Sequence, residues 1–435
     1  MTLTPILARM SADVFRDAVT DEALDVMRLS VVDWAAVAVA GRLEPVAQAV
    51  RHVEMENGGH PTASVVGHAT RLPMRGAAMV NGTAAHALDF DDTHFAHIGH
   101  PSAVIVSAAL AMAEHQGDGD GDMFLRAALV GAEASIRTGL WLGRGHYETG
   151  FHQTATAGII GAAVSGAAIF DLNMPEACSA IGLAGTRAAG LKVQFGTMGK
   201  PYHAGMAAAG AVEAVHAAMI GVEGAQEVLD GPFGFGATHH GAGDMSAFDH
   251  AAYLFPQVSH KYHACCHGTH AAIEAALSLR DGINTGHVSR IDIAVHPRWL
   301  DVCAISTPQT RLEAKFSLSA TVALALLGRP LDTDLAFEPD VILAPEVVAL
   351  RDVVQVTGDD TLSDTQARVE IEAGGQSHSA AHDLAQAAPL SERQDRVRAK
   401  ATALIGAPQA DVLWEAVHRR GGVDLDTLGT VLRAE

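Results

Sequence analysis

Residues 81–102 read NGTAAHALDFDDTHFAHIGHPS and concentrate more reactive side chains than any other stretch of the chain. This signature segment lies between alanine-rich flanks and contains three aspartates and four histidines: Asp89, Asp91, Asp92, His86, His94, His97 and His100. Carboxylates and imidazoles at such density indicate acid/base catalysis or metal binding. Short polar side chains also cap helices, so a structural role stays open for Asp92 and Thr93.

Two kinds of metal site compete with acid/base chemistry. A magnesium–diphosphate site would need carboxylates one helical turn apart, where the chain has Phe95 and Ala96. A zinc or iron site is disfavoured because steps of three residues drift around a helix and because Pro101 biases the preceding residue away from helical geometry. The ligands of that second site would be His94, His97 and His100 with Asp91 or Asp92.

The length and charge of the chain limit its organisation and partners. With 435 residues, the chain exceeds what one hydrophobic core usually serves, so we expect two domains. The formal net charge of −21 argues against nucleic acid and anionic membranes as partners. A small anionic substrate remains compatible with that charge if Lys, Arg and His are concentrated in a cleft.

The cysteines and the apolar runs indicate a cytoplasmic protein. The four cysteines form no CxxC pair, and adjacent Cys265 and Cys266 are too close for an ordinary structural disulfide. The first residues show no sustained apolar run, so no signal peptide is expected. The most apolar stretch, residues 154–170, is shorter than a membrane span and predicts a buried central helix.

Hydrophobic periodicity predicts helices through the first half of the chain and strands only later. Thr20 is expected to cap a helix that ends at Gly41, and alternation predicts a hairpin at Gly374 and Gly375. The composition changes around residues 253–270, where we place a domain boundary. Helices are predicted over 24–38, 45–56, 77–87, 104–115, 123–142, 154–170, 174–189, 269–279, 317–327, 412–417 and 425–432, and strands over 290–295, 353–357 and 367–373.

The signature segment resembles that of the MmgE/PrpD family, which includes 2-methylcitrate dehydratases, cis-aconitate decarboxylases and an iminodisuccinate epimerase. The segments GFHQT at 150–154 and QFGTMGKPYHAG at 194–205 also resemble family motifs. The resemblance implies a mainly α fold, in which a large all-helical domain (1–255, with 391–435 returning to it) carries a smaller α+β lid domain (256–390). Matching residues in the signature segment are Asn81, Gly82, His86, Asp89, Phe90, Asp91, Asp92, Thr93, His100, Pro101 and Ser102.

The resemblance also implies site residues and roles. Loss of a proton, water or carbon dioxide next to a carboxylate passes through a state with extra negative charge, which Lys200 and Lys261 would face. His100 and His152 would transfer protons, since histidine both takes and gives a proton near neutral pH. The remaining implied site residues are Asp89, which would orient a histidine or bond the substrate, and Thr93, His203 and Cys266, which would bind the substrate.

Some residues depart from the family pattern. In HKYHACCHGTH (260–270), His263 and Ala264 replace the common Tyr and Pro, and Cys266 stands where some decarboxylases have histidine. In AKFSLSATVALAL (314–326), Ser319 and Ala320 replace the usual Pro and Tyr. Loss of that tyrosine removes a hydroxyl and opens volume, so we expect a substrate other than 2-methylcitrate or cis-aconitate.

The sequence therefore predicts a cofactor-independent lyase of the dehydratase type that acts on a small di- or tricarboxylic acid, without a metal and as a homodimer. A decarboxylase and an epimerase or isomerase remain alternatives, because the same groups serve all three reactions. From other classes, a non-catalytic binding protein and a metal-dependent hydrolase stay open. The hydrolase could use Cys265, Cys266, His267 and His270 as further ligands.

Overall fold

The chain folds into two compact units, described by a computed structural model over residues 2–15, 19–249 and 252–434. The larger unit comprises residues 1–260 and 390–435, and the smaller comprises residues 261–389. Sequence analysis placed these boundaries after residues 255 and 390. The predicted fold class is confirmed, since the fold is mainly helical and its main sheet lies in the C-terminal region.

The first part of the larger unit is a stack of helices with one short hairpin. Within the described ranges, no helix has both the length and the hydropathy to cross a membrane. The elements are α1 (Leu3–Ser11), α2 (Asp21–Gly41), α3 (Pro45–Asn57), β1 (Ala63–Val65), β2 (His68–Leu72), α4 (Met74–Ala87), α5 (Pro101–Gln116), α6 (Gly121–Thr149), α7 (Gln153–Ile169), α8 (Met174–Arg187), α9 (Gly199–Met219) and α10 (Phe235–Thr238).

Small residues bring the central helices close together. Every residue of α7 is buried, as predicted from its apolar run. A side chain at Gly161 would collide with the Gly131 carbonyl oxygen of α6, so glycine is required where these two helices cross. Helix α2 begins where predicted, with the Thr20 hydroxyl accepting a hydrogen bond from the Ala23 N–H. It is buried on nearly all sides rather than on one face, because α4, α5, α6, α17 and α18 surround it.

The smaller unit combines a four-stranded sheet with short helices. The strand order is β4-β3-β5-β6, with β3 and β4 parallel and the other pairs antiparallel. Gly374 and Gly375 both have positive φ and form the predicted two-residue turn between β5 and β6. The elements are α11 (His267–Arg280), β3 (Val288–Val295), α12 (Leu300–Cys303), α13 (Arg311–Ala314), α14 (Leu318–Leu326), α15 (Pro339–Ile342), α16 (Pro345–Arg351), β4 (Val354–Gly358), β5 (Gln366–Ala373) and β6 (Gln376–Asp383).

The chain then returns to the larger unit through α17 (Leu390–Ile405), α18 (Ala407–Val417) and α19 (Leu425–Arg433). Helix α17 carries two buried cations. The Lys400 ammonium lies 2.6 Å from Asp33 Oδ1 and donates a 2.6 Å hydrogen bond to the Phe90 carbonyl oxygen. Arg393 donates to the carbonyl oxygens of Pro256 and Val258. Helix α17 thus fixes the backbone of the signature segment.

Candidate active site

The signature segment spans the end of α4, an irregular loop and the start of α5. Asp89 and Ile98 have positive φ, a conformation that aspartate tolerates better than branched residues do. Thr93 and Ser259 exchange two backbone hydrogen bonds of 2.9 and 2.7 Å. Pro101 opens α5 at its first turn, as predicted, so His100 is the N-cap residue. The loop is held at both ends and along its length.

Asp91 lies between two imidazoles in the interior of the larger unit. Its carboxylate accepts a hydrogen bond from His86 Nδ1 at 2.9 Å, and His100 Nδ1 lies 3.2 Å from the Asp91 Oδ2 atom. Asp91 and His86 are both fully buried. Burial opposes ionisation of Asp91, but His100 and His86 outweigh it and hold the pKa of Asp91 well below its usual range.

The other side of His100 faces a second carboxylate and a lysine. His100 Nε2 lies 3.5 Å from Asp89 Oδ1, and the same oxygen accepts a 2.7 Å hydrogen bond from Lys200 Nζ. Lys200 is the second residue of α9, and its side chain is only 16% exposed. Three of the predicted site residues therefore meet at one carboxylate.

His152 belongs to the same group through His86. The two rings are stacked with centroids 5.6 Å apart, and His152 Nδ1 lies 3.2 Å from His203 Nδ1. His152 is the N-cap residue of α7, but its side chain makes no capping hydrogen bond. Burial lowers the pKa of His152 well below its usual value, and the nearby charges of His86 and Lys200 lower it further. His152 is therefore a neutral imidazole at neutral pH.

The disfavoured zinc or iron ligand set of His94, His97 and His100 is not the set that the structure brings together. Burial lowers the pKa of His94 to about 4 and that of His97 to about 3. In the described part of the chain, neither ring nitrogen of His97 has a hydrogen-bond partner. Donor atoms that lie within 4.8 Å of one another, close enough to share a metal ion, come instead from His86, Asp89, Asp91 and His100.

Asp92 takes the structural role that the sequence left open. Its carboxylate accepts hydrogen bonds from the Ser102 hydroxyl at 2.5 Å and the Ser102 N–H at 3.2 Å, which caps the first turn of α5. Burial raises the pKa of Asp92 to about 7, and the charge of Asp33 adds to the shift. The hydrogen-bond partner of Asp92 thus belongs to the framework of the loop and not to the group of site histidines.

Two predicted site residues, Lys261 and Cys266, lie in the smaller unit. Lys261 is 2% exposed, and its positive charge acts on the buried thiols of Cys265 and Cys303. Cys266 is half-buried and is the N-cap residue of α11. Cys265 bonds the Thr269 hydroxyl, at a distance of 3.1 Å, rather than joining a metal ligand set.

The positions that depart from the family pattern also lie in the smaller unit. His263 Nε2 lies 2.9 Å from Glu274 Oε1, so this histidine has an acidic partner of its own. Ala320 has no exposed surface, and the Ser319 hydroxyl lies 3.1 Å from that of Ser317. Within this unit Ala320 is simply part of the buried helix α14.

Sequence reasoning gave His86 no role, and it gave Asp91 only a possible role as a metal ligand. Both belong to the matched signature, but His86 lies on α4, before the loop that carries the other histidines. The signal available was the five-residue spacing from His86 to Asp91, which spans the end of a helix. Such a spacing predicts contact only when the conformation of the loop is known.

Two protein-family models and several known proteins are similar to this chain. The chain matches the MmgE/PrpD N-terminal domain over residues 6–247 and the MmgE/PrpD C-terminal domain over residues 263–413. It is 28% identical to mouse (Mus musculus) cis-aconitate decarboxylase over 59% of this chain and 55% of that protein. The human (Homo sapiens) cis-aconitate decarboxylase is 31% identical over 48% of this chain and 45% of that protein.

A third relative is the cis-aconitate decarboxylase-like protein oryM of Aspergillus oryzae, 29% identical over 50% of this chain and 49% of that protein. The matched stretches thus span about half the length of these relatives. The two domain matches cover most of the chain and include the signature segment, His152 and Lys200. On these grounds, the chain belongs to the MmgE/PrpD family.

Proposed function

We propose that this protein is a cofactor-independent lyase of the dehydratase type that acts on a di- or tricarboxylic acid. The observation that carries this proposal is the contrast between two histidines on either side of His86. His100 lies between the carboxylates of Asp89 and Asp91. His152 is buried beside other histidines and Lys200, and burial and these charges keep it neutral. Such a pair is suited to act as acid and base in one reaction.

Elimination of water needs both groups. The neutral His152 takes the proton from the carbon next to a substrate carboxylate, and the electron pair of that C–H bond forms the new double bond. The neighbouring C–O bond breaks, and the leaving hydroxide takes a proton from the His100 imidazolium to become water. The two carboxylates beside His100 favour its protonated form before the reaction.

Lys200 supplies the positive charge that this reaction needs. As the proton leaves, negative charge builds up on the adjacent substrate carboxylate, and a fixed ammonium group stabilises that charge more than it stabilises the ground state. Asp89 holds Lys200 at 2.7 Å and also contacts His100, so it sets the distance between the two. Thr93 and His203 in the larger unit, and Lys261 and Cys266 in the smaller, are proposed to bind the rest of the substrate.

The test is a proton NMR assay in deuterated water, with chelator-treated protein and a panel of acids: citrate, 2-methylcitrate, cis-aconitate and iminodisuccinate. We expect an alkene product from a hydroxylated acid, and we expect it to be absent with His100→Gln. Because Ser319 and Ala320 depart from the family pattern, 2-methylcitrate and cis-aconitate should be poor substrates. Turnover of both with millimolar or lower Michaelis constants would contradict that expectation.

Decarboxylation is the second candidate, because the three relatives named above are described as cis-aconitate decarboxylases or as similar to one. This reaction needs a proton donor but no base, so His100 and Lys200 would suffice. Loss of carbon dioxide without alkene formation from hydroxylated acids would favour it over dehydration. Deuterium uptake at an α-carbon without net change would instead indicate epimerisation or isomerisation.

The same assay addresses metal dependence and partners. Activity that appears only when zinc is added would make the cluster of His86, Asp89, Asp91 and His100 a metal site and the protein a candidate hydrolase. Activity that survives the chelator supports the cofactor-independent proposal. The protein is further proposed to act as a cytoplasmic homodimer, and light scattering on the purified chain gives its mass in solution.

A further inference from the structure

Asp91 connects the two imidazoles that lie nearest to each other in the candidate site. The His86 and His100 ring centroids are 4.6 Å apart in an edge-to-face arrangement, and both Nδ1 atoms contact the Asp91 carboxylate. Neither atom of this carboxylate is exposed. Asp91 therefore acts on His100 from the side opposite to Asp89 and Lys200.

We propose that Asp91 is a positioning residue that keeps a proton on His100 Nδ1, so that His100 Nε2 is the atom that exchanges a proton with the substrate. This inference rests on the proposed acid/base function of His100 and deepens it. This role of Asp91 follows from its contacts with His86 and His100 and not from its position in the sequence alone.

The Asp91 carboxylate is ionised, since its pKa lies well below the usual range. An ionised aspartate only accepts hydrogen bonds, and its negative charge favours a hydrogen on a ring nitrogen that lies within ion-pair distance. Asp91 is held ionised by its two histidines, and His100 Nδ1 lies 3.2 Å from one of its oxygens. In the neutral ring of His100 the hydrogen is therefore favoured on Nδ1, and in the protonated ring both nitrogens carry one.

His86 strengthens this arrangement. It donates from Nδ1 to Asp91, while its buried Nε2 has no hydrogen-bond partner among the described residues. Its ring packs between those of His100 and His152, at 4.6 and 5.6 Å. Asp91 thus fixes His86 in one orientation as well, and His86 supports the two rings proposed to carry the reaction.

Several charged groups face His100 and enter any pH effect. Asp91 lies on its Nδ1 side, and Asp89, with its partner Lys200, lies on its Nε2 side. His86 is in ring contact, and the charge of His100 also acts on the two neutral histidines, His97 and His152. Of these groups, Asp91 contacts Nδ1, and its removal takes away the acceptor at that atom.

The test compares Asp91→Asn with Asp92→Asn as a matched control, since both residues are buried and adjacent. With the acid that wild-type protein turns over, Asp91→Asn should lower kcat by up to about 10⁴-fold, the order seen when a carboxylate that orients a catalytic histidine is lost. KM should change by less than about threefold, because Lys200 and Asp89 remain. Asp92→Asn should keep kcat within about threefold of wild type.

Two further measurements separate positioning from a general structural role. In Asp91→Asn the alkaline limb of the kcat profile, which follows loss of the proton from His100, should move to lower pH, because the lost carboxylate no longer favours the imidazolium. In Asp92→Asn that limb should stay in place. Equal effects of the two substitutions on kcat and on the pH profile would overturn the proposal.

A third measurement needs no substrate. Nitrogen NMR of protein with labelled histidine, with His100 assigned from its missing signals in His100→Gln, reports which nitrogen carries hydrogen in the neutral ring. We expect Nδ1–H in wild type and a gain of Nε2–H in Asp91→Asn. Nε2–H in the neutral ring of wild type would overturn the inference. If no acid in the panel reacts but Nδ1–H is found, the proposed function fails and the role of Asp91 in orienting His100 stands.

Discussion

Asp91 and Asp92 are adjacent in the chain, and both are buried, yet they differ in almost every chemical respect. Asp91 contacts two imidazoles, and its pKa is held well below the usual range. Asp92 bonds a serine hydroxyl and a backbone N–H near the charge of Asp33, and its pKa is raised to about 7. Burial acts on both in the same direction, so their partners decide the outcome. Asp91 contacts the histidine that we propose to transfer protons, whereas the partners of Asp92 hold the loop in place.

Among the predictions, substitution of His100, the proposed proton-transfer residue beside Asp91, should have the greatest effect on activity. His100→Gln should lower kcat by about 10²- to 10⁴-fold, the usual contribution of a general acid or base. His97→Leu is the matched control, because His97 is buried in the same segment and its ring makes no hydrogen bond among the described residues. Its kcat should stay within about tenfold of wild type. Equal losses in the two variants, at equal melting temperature, would contradict the assignment.

Loss of the buried ion pair near Asp92 should affect the stability of the protein more than its catalytic rate. Lys400→Met removes the ammonium that pairs with buried Asp33, and the cost of an uncompensated buried charge is about 3–5 kcal/mol in free energy of unfolding. Urea denaturation gives this value. On the same helix, Arg398 pairs with Asp411 at the surface, with both side chains about half exposed, so Arg398→Met should cost less than about 1 kcal/mol. Similar costs for both would show that the buried pair is not special.

Lys200→Met tests the proposed cation in the same group of site residues as Asp91. The substitution removes the cation that faces the developing negative charge and leaves Asp89 without its 2.7 Å partner. We expect kcat/KM to fall about 10²-fold, with Lys200→Arg recovering part of the loss. Lys192, whose ammonium lies 3.7 Å above the Tyr147 ring, offers a nearby control. Steady-state kinetics of Lys192→Met should match wild type. A loss of kcat/KM as large as that of Lys200→Met would contradict the proposed role of Lys200 in binding the substrate carboxylate.

The smallest expected effect concerns the pH dependence of stability on the Asp92 side. A carboxyl group whose pKa is raised in the folded protein contributes stability at low pH, and this contribution is lost as pH rises through the folded value, about 7. Asn cannot ionise, so wild type should lose about 1 kcal/mol relative to Asp92→Asn between about pH 6 and about pH 7. Urea denaturation at several pH values checks this. A constant difference between the two proteins would show that Asp92 does not titrate in that range.

The sequence predicted the architecture because hydrophobic periodicity and the residues that begin and end helices and strands are local signals. Thr20, Pro101 and the Gly374–Gly375 pair mark element ends through their own backbone preferences, and the structure uses all three as predicted. The nearly complete burial of α2 was not predictable in the same way. It depends on α17 and α18, which come from the far end of the chain.

The candidate site was only partly predictable for a related reason. The motifs named His100, His152, Asp89 and Lys200, and the structure brings these residues into one group in the larger unit. Spacing disfavoured His94 and His97 as co-ligands of His100 but did not show which residues contact one another, and the loop brings His86 to Asp91. The different roles of Asp91 and Asp92 depend on which side chains surround each carboxylate, and no property of the residue pair itself contains that information.

The attachment of α17 to the signature segment also has a consequence for the order of folding. Lys400 is the partner of Asp33 and of the Phe90 carbonyl oxygen, yet it is synthesised more than 300 residues after both, beyond the whole smaller unit. During translation, the first 260 residues are complete before Lys400 is made. Until then, the Phe90 carbonyl oxygen and the Asp33 carboxylate lack this partner. The smaller unit is in effect an insertion that delays completion of the larger one, and a chain released before α17 emerges would have an unfinished active-site loop.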